Sequence, residues 1–285
     1  MKTKILNLIR LIFFKNKFCE AILYHLTNGR SIESWLARLP ANHYQYSSET
    51  IRNVERNGVF YCLDISDYME WCVYFGIKTE PRKALYDLIL NSKVIFDVGA
   101  NIGETTLNIA KLSNNDCLIH SFEPDKFCFE KLKTNLGLNP FKNVKLNSFG
   151  LGVKEADYFL TAPTKDNRGG NRIIHNSIEK PNIHIKRMDD YIKQNNIDKV
   201  DLIKIDVEGF ELKVLKGGKN CIEVHRPRLF IEINDSNLKE QGDSAMELIE
   251  FLEPFYKNLS HAETGESISS KSILINRHFD LIAVN

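Results

Sequence analysis

Val94-Ile95-Phe96-Asp97-Val98-Gly99-Ala100-Asn101-Ile102-Gly103-Glu104 constrains this chain more than any other stretch. Apolar and β-branched residues lead into an acid, two glycines stand four apart, and a helix-like run follows. The pattern predicts a buried parallel strand, a tight turn and a helix N-terminus. Glycine has no Cβ, so a ligand can approach the backbone closely at such a turn.

The surrounding elements repeat this alternation. Residues 81–90 predict a helix feeding the key strand, and residues 105–112 a helix leaving it. Residues 117–122 predict the next strand, closed by Glu123-Pro124, and 125–136 a helix with Gly137 in its C′ position. Further strands are expected over 144–149, 200–209 and 229–233. Between the last two lies a short helix stopped by Gly217-Gly218, and another helix follows over 244–252. Strand-like runs also occupy 58–63, 71–76, 158–161 and 183–187, around a polar loop over 164–171. The alternation implies an α/β fold, a doubly wound and mostly parallel sheet covered on both faces. Residues 272–275 and 279–284 are three residues apart, too close for a crossover helix, so they predict a closing antiparallel hairpin.

The first 56 residues are expected to form a helical extension ahead of a main domain over 57–285. Residues 32–39 have helical character, and Ile5, Leu8, Ile9, Ile12 and Phe13 follow helical spacing among Lys2, Lys4, Arg10, Lys15 and Lys17. The run is shorter than the ~20 apolar residues a span needs. Lys15-Asn16-Lys17 stands where a signal-peptide cleavage site would be. A helix docked on the main domain is the first expectation, and contact with a membrane surface the second.

Lys plus Arg is 38 and Asp plus Glu 37, which gives no electrostatic case for a nucleic-acid partner. Six cysteines without a C-x-x-C pair read as reduced thiols of a cytoplasmic protein, neither a disulfide frame nor a zinc site.

Acids collect at the predicted strand ends: Asp97, Glu123, Asp206, Glu208 and Glu232. A dinucleotide site wants G-x-G-x-x-G, but Asn101 stands at the second glycine and Glu104 at the third. A carboxylate in the first helical turn would repel a pyrophosphate. A nucleoside donor with a cationic sulfonium and no phosphate suits the site better. Glu123, 24 residues past Gly99, stands where an acid bonds a ribose diol, a group NAD also carries. Structural readings stand beside these. Asn101 and Glu104 have capping-box spacing, and Asp97 could cap the next helix. Lys204 interrupts an apolar strand and should pair with Asp97 or Asp206.

Asp97-Val98-Gly99-Ala100-Asn101-Ile102-Gly103, Phe122-Glu123-Pro124 and Ile203-Lys204-Ile205-Asp206-Val207-Glu208-Gly209, in this order and spacing, resemble the FkbM family of methyltransferases. Glu211-Leu212-Lys213-Val214-Leu215-Lys216-Gly217 and Arg226-Pro227 extend the resemblance, which covers roughly residues 57–284. It implies a class I methyltransferase (Rossmann-like) fold, S-adenosylmethionine as donor, and usually a hydroxyl acceptor on a sugar, glycan or polyketide. By position, Asp97, Gly99, Ala100, Asn101, Gly103 and Glu104 would cradle the donor and Glu123 would hold its ribose. Asp206 and Glu208 would meet the acceptor, with Asp206 the first choice of base. His175, His184 and His261 lie in less regular segments that could fold over the site. Asp206, Glu232 and Asn234 could hold Mg²⁺, although no metal is assigned. The alternatives are a nicotinamide-dependent oxidoreductase and a non-catalytic module that retains the fold.

Overall fold

The computed structural model describes residues 7, 10–11, 16–78, 82–113, 116–161, 168–174 and 177–285. Two compact units divide the chain: residues 1–81, 137–139 and 162–170 in one, and residues 82–136, 140–161 and 171–285 in the other.

The first unit holds α1 (Lys17–Leu26), β1 (Ile51–Arg56), β2 (Val59–Asp64) and α2 (Tyr68–Phe75). Asn16 starts α1 by accepting the Cys19 N–H at 2.9 Å. β1 and β2 pair antiparallel through Asn57-Gly58, both left-handed, as a two-residue hairpin turn requires. The boundary expected between 56 and 57 falls inside this turn, and β1 lies within the first 56 residues. The strand expected over 71–76 is the C-terminal part of α2. Its aromatic, β-branched composition reads as strand, but Asp67 caps the helix by accepting the Met69 and Glu70 N–H groups. Residues 32–39 form turns. The amphipathic helix expected over 2–17 falls mostly outside the described residues.

The second unit begins with α3 (Lys83–Leu88), β3 (Val94–Val98), α4 (Glu104–Leu112), β4 (Leu118–Phe122), α5 (Lys126–Gly137) and β5 (Val144–Asn147). Short strands β6 (Gly150–Leu151), β7 (Ala156–Thr161), β8 (Arg172–Ile174) and β9 (Ile183–Lys186) follow, then α6 (Met188–Gln194) and β10 (Leu202–Ile205). The remainder is α7 (Glu211–Gly217), α8 (Lys219–His225), β11 (Arg228–Asn234), α9 (Asp235–Glu240), α10 (Ala245–Leu252), β12 (Asn258–His261) and β13 (His278–Val284).

One seven-stranded sheet runs β12-β13-β11-β10-β3-β4-β5, parallel from β11 to β5, with β13 antiparallel to both its neighbours. The antiparallel end is present, but β13 pairs with residues 258–261 and not with 272–275. Ser269 and Ser272 bond each other, and Arg277 N–H turns back to Leu274 O, so local turns take those backbone groups. A separate four-stranded sheet, β6-β9-β7-β8, packs Leu160, Ile173, Ile183 and Ile185 with Phe210. Of the polar loop expected over 164–171, residues 164–167 lie outside the described residues.

Side chains alternate across the main sheet. Ile95, Ile119 and Leu202 pack with Leu85 and Ile109 on one face, while Phe96, Val98, Ile203 and Ile205 pack with Leu212 and Leu248 on the other. The same alternation carries Asp97 and Lys204 to the α4 face at the carboxyl ends of β3 and β10. The chain crosses from one side of the sheet to the other between these two strands, which is where open α/β sheets bind ligands.

Candidate active site

Lys204, Asp97 and Ser121 stand side by side on β10, β3 and β4. Asp97 is fully buried, and its Oδ2 accepts the Thr106 hydroxyl at 2.5 Å. Ser121 lies 2.9 Å from that hydroxyl and completes the chain of bonds beneath α4. Lys204 Nζ lies 3.4 Å from Asp97 Oδ1 and 3.2 Å from Asp206 Oδ2, and donates to Gly99 O at 3.0 Å. Burial alone would lower the pKa of Lys204, but Asp206 and Asp97 outweigh it and hold the ammonium above its ordinary value. The expected ion pair therefore forms with both carboxylates, and it clamps the glycine turn as well.

The turn is fixed from a second side by β4. Gly99 and Ala100 both donate their N–H to Phe122 O at 3.0 Å. Gly99 has φ +81°, and a Cβ there would overlap the carbonyl oxygen of Asp206. Asn101 donates its N–H to Glu123 Oε2 at 2.8 Å, and Asp125 donates to Oε1 at 2.8 Å. Burial pushes the Glu123 carboxyl up to about 7 against these two bonds. Gly103 is the N-cap of α4 and packs against Leu132 of α5, where a Cβ would overlap the leucine side chain. The capping box expected of Asn101 and Glu104 does not form. Glu104 instead pairs with Arg82, and Asn108 Nδ2 donates to it at 3.1 Å. Asp97 caps no helix.

Across the turn lies the loop after β10. Glu208 and Gly209 are both left-handed, at φ +54° and +99°, and a Cβ on Gly209 would overlap the Asn237 carbonyl oxygen. For Glu208 this conformation costs about 1–2 kcal/mol. The buried Glu211 props the loop by accepting the Val207 and Gly209 N–H groups at 3.2 and 3.0 Å, and burial pushes its carboxyl up to about 7.

Asp206, Glu208 and Glu232 are half-buried and bring carboxylate oxygens within 4.8 Å of one another, a set that could hold a divalent cation. Asn237 Nδ2 donates to Glu208 at 2.7 Å, and His278 Nε2 lies 2.8 Å from Glu232. Asn234, expected in the set, caps α9 by accepting the Asn237 N–H at 3.3 Å. Burial would raise the pKa of Asp206, but Lys204, a hydrogen bond with Glu232 and Arg82 together outweigh it and hold the carboxylate below its ordinary value.

Of the three histidines expected over the site, His184 and His261 have other partners. His184 bridges Asp157 and Glu155 on the small sheet, at 2.7 and 3.0 Å. His261 stacks on Phe279, and His175 lies outside the described residues.

Thr106, Ser121, Arg82, Glu211 and Asn237 complete the site without having been singled out from the sequence. Thr106 is a polar residue on the buried side of α4, and Glu211 opens a helix after Gly209, so both left a trace. Arg82, Ser121 and Asn237 left none.

Residues 97–261, more than half of the chain, match the methyltransferase FkbM domain. The chain belongs to the FkbM methyltransferase family. Membership carries the class I, Rossmann-like fold and S-adenosylmethionine as the methyl donor. Among its curated relatives, the hexuronic acid methyltransferase AglP of Haloferax volcanii is 29% identical over 133 residues, 46% of this chain and 52% of that protein. The 2-O-methyltransferase NoeI of Sinorhizobium fredii is 24% identical over 163 residues, 52% of this chain and 65% of that protein. This FkbM chain thus spans about half to two-thirds of the length of these relatives. The solved methyltransferase FkbM of Methylobacillus flagellatus is similar over 76% of this chain and 55% of that one, at 19% identity and a TM-score of 0.42.

Proposed function

We propose that this FkbM methyltransferase methylates a hydroxyl group on a sugar, glycan or polyketide-type acceptor. One observation carries the reading: the glycine turn with Glu123 faces the Asp206, Glu208 and Glu232 carboxylates across the carboxyl ends of β3, β10 and β11. Two relatives whose names specify a hexuronic acid and a 2-O position support the acceptor class.

The residues at the turn suit the donor. Gly99 leaves open the space that a Cβ would fill, and no Lys or Arg of the turn invites a phosphate. Each Glu123 oxygen accepts one N–H, which leaves a second lone pair on each for a ribose hydroxyl. S-adenosylmethionine supplies a methyl group already activated on a sulfonium, so alignment by the protein provides much of the rate, up to ~7–11 kcal/mol. As the acceptor oxygen takes on positive charge, its proton becomes strongly acidic. A carboxylate of low proton affinity is then sufficient, and Asp206, kept ionised by Lys204, takes the proton. Glu208, braced by Asn237, orients the hydroxyl.

Calorimetry with S-adenosylmethionine and NADH side by side tests the donor, and methyl transfer to free hexuronic acids and hexosides tests the acceptor. NADH bound in preference to the donor overturns the reading in favour of an oxidoreductase. Donor binding with no turnover on any glycan or polyketide points to a non-catalytic module.

A further inference from the structure

Helix α1 is turned inside out. Its buried side carries Glu20 and Leu23, with Thr27 just beyond its end, and Glu20 is held by Arg52 at 2.6 Å and the Tyr74 hydroxyl at 2.8 Å. Phe18, Ile22 and Leu26, on the opposite side, are 75%, 44% and 48% exposed. Residues four apart on a helix drift by about 40°, so these three form one ridge along α1. Ala21 and His25 lie in the same arc and are exposed too.

In sequence, the segment that holds this ridge is more basic than the rest of the chain. Residues 1–30 carry six Lys or Arg and a single acid, Glu20, whose charge is buried against Arg52. The other 255 residues carry 32 Lys or Arg and 36 Asp or Glu. An apolar ridge in a segment of net charge +5 calls for a surface that is both apolar and anionic. A second copy of the same ridge would bring like charge against like charge. A bilayer with anionic headgroups offers both properties at once.

We propose that α1 is a membrane-interface anchor, lying in the plane of an anionic bilayer with Phe18, Ile22 and Leu26 entering the acyl boundary. No membrane span is implied; among the described residues no helix is long and apolar enough to cross a bilayer. The anchor is independent of the methyl-transfer reading, because none of its residues belongs to the candidate active site.

The test is co-sedimentation of the full chain with vesicles of phosphatidylcholine alone and of phosphatidylcholine mixed with phosphatidylglycerol. Binding is expected to the mixed vesicles, weakened by added salt. The triple variant Phe18→Ser, Ile22→Ser, Leu26→Ser should bind them at least about tenfold less tightly. Its melting temperature and donor binding should match the parent's, since the three side chains are solvent-exposed. Failure of the parent to bind mixed vesicles overturns the proposal, as does equal binding by the triple variant. Concentration-dependent dimerisation that the triple variant abolishes, without vesicle binding by the parent, reassigns the ridge to a second copy.

Discussion

Gly99 has no room for a side chain, because the carbonyl oxygen of Asp206 fills the space a Cβ would need. The turn after β3 and the loop after β10 therefore share one wall. A residue that enlarges that wall acts on the donor side and the acceptor side together.

Gly99→Val should abolish calorimetrically detectable S-adenosylmethionine binding, and Gly99→Ala should weaken it by about tenfold or more. The left-handed backbone alone costs about 1–2 kcal/mol with a Cβ, before the overlap with Asp206 is added. Gly99→Ala with parental donor affinity would contradict the close approach of the two loops.

Lys204→Met should lower the unfolding free energy by about 3–5 kcal/mol in a urea titration, because it leaves Asp97 charged and buried without its cation. Asp97→Asn in the same chain should recover part of the loss. Failure of the second change to help would mean that Lys204 acts through the Gly99 carbonyl or Asp206 rather than through Asp97.

Glu123 should make donor binding depend on pH. Its folded pKa, about 7, lies above its ordinary 4.5, so its contribution to stability is complete below about 4.5 and is lost as pH rises through about 7. Ribose hydroxyls donating to this carboxyl favour its ionised form. Binding should then release a proton, and affinity should rise between about pH 6 and 8. Calorimetry in two buffers of different ionisation enthalpy measures that proton, and Glu123→Gln should remove the pH dependence.

Asp206→Asn should lower the methyl-transfer rate by about 10²–10⁴-fold while leaving the donor dissociation constant nearly unchanged. Because Lys204 holds Asp206 below its ordinary pKa, the parent rate should show no acid limb from this group in the mildly acidic range. Single-turnover kinetics separates the two effects.

Chelation should leave turnover within about twofold of the untreated rate. Each carboxylate of the cluster already has a protein partner: Lys204 for Asp206, Asn237 for Glu208 and His278 for Glu232. Restoration of a lost rate by Mg²⁺ would instead make the three carboxylates its ligands.

The parallel core was legible because periodicity and turn residues agree there. Residues 94–98 are a near-continuous apolar run, Gly99 breaks the strand, and the Lys204 charge in β10 demanded a partner that lay one strand away. Where signals conflicted, local caps and turns decided. Asp67 made a helix of Trp71-Cys72-Val73-Tyr74-Phe75, and the Ser269–Ser272 turn kept residues 272–275 out of the sheet. Asn57-Gly58 is a hairpin signal that joins Arg56 to Val59 across β1 and β2. Arg82 and Asn237 were hidden for another reason. Each meets its carboxylate, Glu104 or Glu208, only after the chain has doubled back, and nothing in the local spacing records that.

The pairing of Ile95 with Leu202 sets the order in which the site can be born. A nascent chain emerges from the ribosome with Asp97 and the glycine turn long before Lys204 and Asp206 exist. Until β10 arrives, Asp97 has no cation and Gly99 no facing wall, so that half of the sheet waits as a template with an open edge. Closing such a long loop is slow and leaves apolar strands open to wrong partners. A chain stopped short of residue 206 should therefore depend heavily on chaperones and bind no donor.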